Sequence, residues 1–252
     1  MCGGSGFNGL FPAIERGAKI KILAGSTLAP NTILVSGKPD IRSVRDLAGK
    51  NVGSGAIGSN LHQLVVAVLQ KYGSDYKATN FVNVGGSNEI FRAVAGGSID
   101  AGVVSIEFKD NAGKFNLHVL EGGLFYKELP QYTSQAMYAS ERAIAEKRKG
   151  LIAVMAAYAD LFRWVADQKN KGRFLEIYDK ALNIKTTTEE GAILYDFMSQ
   201  PGSLASELVL TDQQVKFVQE LNIEFGAQKY MLAFDQVADM SLAREAMRLL
   251  KA

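Results

Sequence analysis

The stretch Asn51-Val52-Gly53-Ser54-Gly55-Ala56-Ile57-Gly58-Ser59-Asn60-Leu61-His62-Gln63-Leu64-Val65-Val66-Ala67-Val68-Leu69-Gln70-Lys71-Tyr72-Gly73 reads as a strand, a glycine-rich turn and a helix in direct succession. Leu61, Leu64, Val65, Val68, Leu69 and Tyr72 fall on one face at a 3.6-residue period, and Gly73 supplies a C-terminal stop. The pattern then repeats: strand over 80–84, helix over 88–95, strand over 99–104. Alternation of this kind predicts an α/β fold in which parallel strands are joined by helical crossovers.

Upstream, Asn8 is a candidate cap for a short helix over Leu10, Phe11 and Ile14 that stops at Gly17, and the runs 20–24 and 32–36 read as buried strands. Gly37-Lys38-Pro39-Asp40 is turn chemistry and marks a lobe boundary. Downstream, residues 115–119 alternate apolar and polar ahead of Gly122-Gly123, and 135–139 reads as a strand returning to the first lobe. After Ser140 the sequence turns helical, with an apolar face at Leu151, Val154, Met155, Tyr158, Phe162 and Val165. Thr187-Thr188-Glu189-Glu190 and Thr211-Asp212-Gln213-Gln214 match the capping box, Pro201-Gly202 separates the two helices they open, and Ser241 is placed as the cap of a final helix. The expected division is 1–40 with 124–252 as the first lobe and 41–123 as the second.

Of 252 residues, 47% are hydrophobic and 21% charged, the balance of a folded globular chain. Lys+Arg 28 against Asp+Glu 26 leaves +2, without the basic run that nucleic acid requires. The apolar runs fall short of the roughly 20 residues that span a bilayer, so no direct membrane insertion is expected. One cysteine, Cys2, rules out an internal disulfide and a cysteine-rich metal site. His62 and His118 are too far apart to suggest metal-ligand spacing or a nucleophile–base pair, so no catalytic residue, metal or cofactor is expected.

Chemistry is expected at the strand-to-helix turns. A helix N-terminus presents unpaired N–H groups and partial positive charge, which suits an anionic or polar ligand. Ser59 or Asn60 caps the helix or bonds a ligand, and His62 sits one turn on. Val84-Gly85-Gly86-Ser87-Asn88 repeats the arrangement, with Ser87 as the expected cap. Loops at the carboxyl ends of parallel strands converge on one crevice, which brings Ser59, Asn60, Gly86 and Ser87 to one site. Glu107 emerges at the same end, with a solvated loop carboxylate as its plainer reading. Tyr126, Tyr132 and Gln135 lie near the return crossover, and Trp164 reads as packing.

The run Ile41-Arg42-Ser43-Val44-Arg45-Asp46-Leu47-Ala48-Gly49-Lys50-Asn51-Val52-Gly53 resembles the entry into the second lobe of periplasmic solute-binding proteins, in the nitrate/sulfonate/taurine and thiamine-precursor (NMT1/THI5-like) branch that serves ABC transporters. Ala93-Val94-Ala95-Gly96-Gly97-Ser98-Ile99-Asp100-Ala101 and Ala18-Lys19-Ile20-Lys21-Ile22-Leu23-Ala24 resemble two further segments of that family. The resemblance implies a type II periplasmic binding fold: two α/β lobes with parallel-rich sheets flanked by helices, and a helical C-terminal region. It also implies a small-molecule ligand in a cleft lined by Phe7, Asn8, Ser26, Thr27, Ser59, Asn60, His62, Gly86, Ser87, Ser105 and Glu107. An ABC permease as partner and a periplasmic or extracytoplasmic location follow from the same likeness.

Met1 to Gly6 carries neither the basic nor the apolar region of a secretory signal. Set against the family pattern, an export signal and an opening strand–helix–strand unit are expected to be missing, which leaves the first lobe's sheet incomplete. Only Lys109 supplies a positive charge to the implied loops, so a sulfonate or nitrate lacks its usual basic partner, whereas Glu107 would pair with an aminopyrimidine or another cationic group. The competing functions are an enzyme on the same fold, similar to pyrimidine synthases or menaquinone-pathway enzymes, and an effector-sensing regulator domain. For the regulator no helix-turn-helix is visible.

Overall fold

The structure is a computed structural model that describes residues 2–109, 112–182 and 189–250. The elements in chain order are β1 (Cys2–Ser5), α1 (Leu10–Glu15), β2 (Ile20–Gly25), β3 (Thr32–Ser36), β4 (Asn51–Gly53), α2 (Asn60–Lys71), β5 (Asn80–Val82), α3 (Ser87–Ala95), β6 (Ala101–Ser105), β7 (His118–Leu124) and α4 (Phe125–Glu128). They continue with β8 (Ala136–Ser140), α5 (Glu141–Ala166), α6 (Lys171–Leu182), α7 (Glu189–Met198), α8 (Asp212–Glu224), α9 (Phe234–Val237) and α10 (Ser241–Leu249). The chain divides into two compact units. The first takes Met1–Pro30, Gln131–Phe174 and Phe197–Ala252, and the second takes Asn31–Pro130 and Leu175–Asp196.

The second unit is built on a five-stranded sheet in the order β5-β4-β6-β3-β7. β4 pairs in parallel with both β5 and β6, whereas β3 runs antiparallel to β6 and β7. The parallel core is the one the alternating pattern predicts, and β3 is the single strand that runs against it. Every residue of Thr-Ile-Leu-Val-Ser in β3 is buried, as a central strand covered on both faces requires. The strand therefore belongs to this unit's sheet, upstream of the turn at Gly37–Asp40 that the sequence suggested as a boundary.

Two glycines seat α3 on this sheet. Gly53 and Gly102 lie side by side in the β4–β6 register, and a Cβ at Gly102 would run into the Ile90 side chain. At Gly53 it would come within 2.7 Å of Ile99 and 3.0 Å of Ile90. The bare backbone thus lets Ile90 and Val94 of α3 sit directly on the strands. α2 departs from the one-faced helix of the sequence reading: every residue from His62 to Leu69 is buried. It touches the turns at 44–47 and 76–78 as well as α4, so faces that would otherwise be solvated are covered.

The first unit carries a three-stranded sheet in the order β1-β8-β2, with β8 antiparallel to both neighbours. The run 135–139 does return as a strand of this sheet. Phe7, Phe11, Ile22, Val215, Val218, Val237 and Met240 form its core, and α10 packs on α5 and β2. A buried amide network ties distant segments together. Asn222 donates to Asn8 O at 2.8 Å, Gln228 donates to Gln219 Oε1 at 2.7 Å, and Gln219 donates to Leu232 O at 3.1 Å. Amides buried with their partners satisfied in this way fix one arrangement of the loops they join.

Several local expectations change. α1 is capped at Gly9 with no side-chain bond, and Asn8 serves instead as the acceptor for Asn222. The sixth strand occupies Ala101–Ser105, two residues later than read, and the next starts at His118 after a tight turn over 112–115. That strand runs through Gly122-Gly123, where a Cβ on Gly123 would meet Leu34 O at 2.7 Å, so the glycines permit close strand approach. On α5 Val154 is 40% exposed, while Ile152, Ala156 and Ala159 join the buried face. Thr211 and Gln214 do form the capping box, at 3.2 and 2.9 Å. Ser241 is not a cap: Asp239 Oδ1 accepts its N–H at 2.9 Å, and its hydroxyl accepts from Arg148. Thr187 and Thr188 lie outside the described residues. No described helix is long and apolar enough to cross a membrane.

Candidate functional site

The turn after β4 is held from within. Gly55 and Gly58 adopt φ of +68° and +80°, values open to glycine at little cost. Ser59 caps α2, its hydroxyl accepting from His62 N–H at 3.4 Å and donating to Ser54 O at 3.2 Å. His62 Nδ1 accepts from Gly58 N–H at 3.2 Å, and its ring lies edge-on to Phe81 at 4.5 Å. Burial holds the imidazole below its usual pKa, in the neutral form this acceptor role demands. Asn60 is half-buried at the first position of the helix.

The turn after β5 is built differently. Gly85 (φ +111°) donates to Asn83 Oδ1 at 3.2 Å, and Gly86 donates to Glu89 Oε2 at 3.1 Å. The cap of α3 is therefore Gly86 with the Glu89 carboxylate, and Ser87 is the first helical residue. Released from capping, the Ser87 hydroxyl accepts the N–H of Ser105 at the end of β6, at 2.5 Å. The two turns adjoin: a Cβ on Gly55 would stand 3.6 Å from Gly85 O.

A cavity of about 540 Å³ opens beside the second turn. Gly86, Ser87, Ser105 and Glu107 line it together with Tyr178 and Glu190. Phe108 and Leu182 add apolar wall, with Phe108 stacked on Phe91 at 4.3 Å. All of these residues belong to the second unit. The Oε2 of Glu107 is buried and has no hydrogen-bond partner. Burial and, more weakly, the charge of Glu190 push its carboxyl above the usual range, although its own backbone N–H acts the other way. Tyr178 is also raised, by burial first and then by Glu107 and Glu190.

Two more unpartnered buried hydroxyls stand at the same end of the sheet. Ser54 directly follows β4, and Thr32 opens β3 opposite Ser105. Unsatisfied buried polar atoms are rare in folded proteins, and three of them stand close to the strand ends here.

Of the sequence-proposed residues, the cavity gathers Gly86, Ser87, Ser105 and Glu107. Ser59, Asn60 and His62 build the neighbouring turn and do not line it. In the first unit Phe7 is a core residue, its ring 5.7 Å from Phe11. Asn8 and Ser26 are buried there too. Ser26 donates its N–H to Gln135 O at 3.1 Å, and the Thr27 hydroxyl donates to Gln135 Oε1 at 3.1 Å. Sequence reasoning missed Tyr178 and Glu190, because nothing local signals that residues 175–196 rejoin the second unit. Gly191 gives a packing reason for the position of Tyr178, since a Cβ there would stand 2.8 Å from the Tyr178 ring. Among the described residues no group of three or more His, Cys, Asp or Glu is arranged to hold a metal.

The model of the family described as NMT1/THI5 like matches residues 2–169. The chain belongs to the NMT1/THI5-like family. Solved structures with the same fold include the alkanesulfonate-binding protein SsuA of Xanthomonas axonopodis pv. citri bound to MOPS, 20% identical, covering 97% of this chain and 78% of that one at TM-score 0.71. The periplasmic aliphatic sulphonate binding protein SsuA of Escherichia coli is 14% identical over 94% of this chain and 74% of its own, at TM-score 0.69. The desulfurization enzyme DSZB is 11% identical over 98% and 85%, at TM-score 0.64. No curated protein matches the sequence. These likenesses establish the type II periplasmic binding fold for this NMT1/THI5-like chain. They also show that the fold serves both binding proteins and an enzyme.

Proposed function

We propose that this NMT1/THI5-like protein binds a small organic solute at the strand ends of its second unit and passes it to an ABC permease outside the cytoplasm. The carrying observation is the cavity of about 540 Å³ at the carboxyl end of β6, lined by Ser87, Ser105 and Glu107 with an unpartnered carboxylate oxygen. A cavity of this size suits a small molecule, and its position beyond the strand ends is where open α/β sheets receive ligands. The ABC-import role of the sulfonate-binding proteins that share the fold supports the transport half of the reading.

The test is a thermal-shift survey of small solutes with matched cationic, neutral and anionic members, followed by calorimetry and recovery of the bound compound. A ligand at 100 times its dissociation constant adds about 2.7 kcal/mol, a rise of very roughly 5–10 °C for a chain of this size. Selective stabilisation by a solute recovered chemically unchanged supports the reading. Conversion of the solute would make the protein an enzyme, and the absence of a shift with every charge class would sink the binding role.

A further inference from the structure

The binding role leaves the charge of the solute open, and the hydrogen-bonding inventory of the cavity bears on it. An anion is received by free N–H donors and cationic side chains. Here three N–H donors around the second glycine turn are already engaged. Gly85 N–H is held by Asn83, Gly86 N–H by the Glu89 carboxylate, and Ser105 N–H by the Ser87 hydroxyl. No Lys or Arg is among the described residues lining the cavity, which include Glu89, Glu107 and Glu190. Of the unpartnered buried atoms at these strand ends, the one on a cavity-lining residue is an acceptor, Glu107 Oε2, whereas Ser54 and Thr32 do not line the cavity. An entering sulfonate would meet three carboxylates, Glu89, Glu107 and Glu190, of which Glu89 is paired with Arg92. A protonated nitrogen would supply what Glu107 lacks.

Resting on the solute-binding reading, we infer that the ligand carries a protonated nitrogen head group, such as an ammonium, an amidinium or an aminoheteroaromatic cation, which donates to Glu107 with Glu190 as a second, outer countercharge. Phe108 and Leu182 then take the apolar part of the molecule. Burial of a carboxylate oxygen without a partner destabilises the ligand-free protein, a cost tolerated where the group serves binding.

The deciding experiment measures the full chain and its Glu107→Gln variant against benzamidinium, 4-aminopyridinium and a primary alkylammonium, each beside a sulfonate of similar shape. Benzenesulfonate and ethanesulfonate serve as the anions and benzamide as the neutral control. Cations are expected to stabilise the protein and sulfonates are not. Glu107→Gln weakens cation binding by roughly 10–100-fold, the size of a lost hydrogen bond to a charged group, and raises the melting temperature of the ligand-free protein. Glu190→Gln, half-buried on α7, lowers affinity by only roughly 2–5-fold and leaves the fold intact. Stabilisation by sulfonates, or cation binding unchanged in both variants, overturns the charge inference while leaving the solute-binding role standing. A Glu107→Gln protein less stable than the parent would make Glu107 a structural group and overturn it as well. Silence across cations, neutrals and anions alike removes the binding role itself.

Discussion

The two glycine turns of the second unit look alike in sequence and are wired in opposite ways. At Gly53–Asn60 the polar side chains serve the turn itself: Ser59 caps the helix, and His62 reaches back to Gly58. At Val84–Asn88 the cap comes from Glu89, which frees the Ser87 hydroxyl to bind the end of β6 at the rim of a cavity. A serine after glycines at a helix start is therefore not one feature but two. What separates them is whether the serine hydroxyl is spent on its own helix's backbone or reaches the end of another strand.

The strongest way to break this contrast is to unseat α3. Gly102→Val places a branched side chain where Ile90 and Val94 already pack, and both must shift. Overpacking of this kind costs about 3 kcal/mol at its upper end, a drop in melting temperature of about 5–10 °C. Because the α3 N-terminus moves with the helix, solute binding should be lost in the same variant, as calorimetry would show. Retention of full affinity would mean that the cavity does not depend on where α3 sits.

His62→Ala attacks the other turn. The ring is 4% exposed, and its removal leaves both a void beside Phe81 and a Gly58 N–H without its acceptor. A stability loss of about 2 kcal/mol is expected in urea titrations, with solute affinity unchanged. A smaller pair of substitutions sharpens the comparison. Ser59→Ala removes a helix cap and should cost about 1 kcal/mol without touching binding. Ser87→Ala removes no cap, and its effect should appear in solute affinity, since Ser105 loses the bond that fixes it at the cavity rim.

Much of this unit was legible in sequence, because central strands and buried helices announce themselves as apolar runs. Residues 51–53, 60–71 and 101–105 emerge within a few positions of their expected places for that reason. The cap of α3 was not legible, since Ser87 and Glu89 both qualify and the choice depends on β6 standing within reach of the serine. Glu107 was visible as a carboxylate beyond a strand end, but its burial was not. Tyr178 and Glu190 lay beyond any local reading, because they reach the cavity through the return of residues 175–196 to the second unit, which is a matter of tertiary packing. Phe7 and Ser26, placed near a ligand by family likeness, are buried among their own unit's core and backbone partners and do not line this cavity.

The smallest expected effect is one of pH, and it too belongs to the first turn alone. His62 is held below its ordinary value of 6.5 by burial, so the folded protein resists a proton that the unfolded chain accepts. Stability rises with pH wherever the unfolded state binds more protons. The contribution of neutral His62 is therefore complete above pH 6.5, declines as pH falls below it, and stops declining once the folded-state imidazole itself protonates. Protonation would also turn Nδ1 from acceptor to donor and break its bond with Gly58 N–H, loosening the turn from within. Urea titrations of the parent and of His62→Gln between pH 7.5 and about pH 5 would isolate this term. The stability difference between the two proteins should narrow steadily below pH 6.5. A gap that stays constant would place the imidazole in contact with solvent, and the first turn would then no longer be the closed member of the pair.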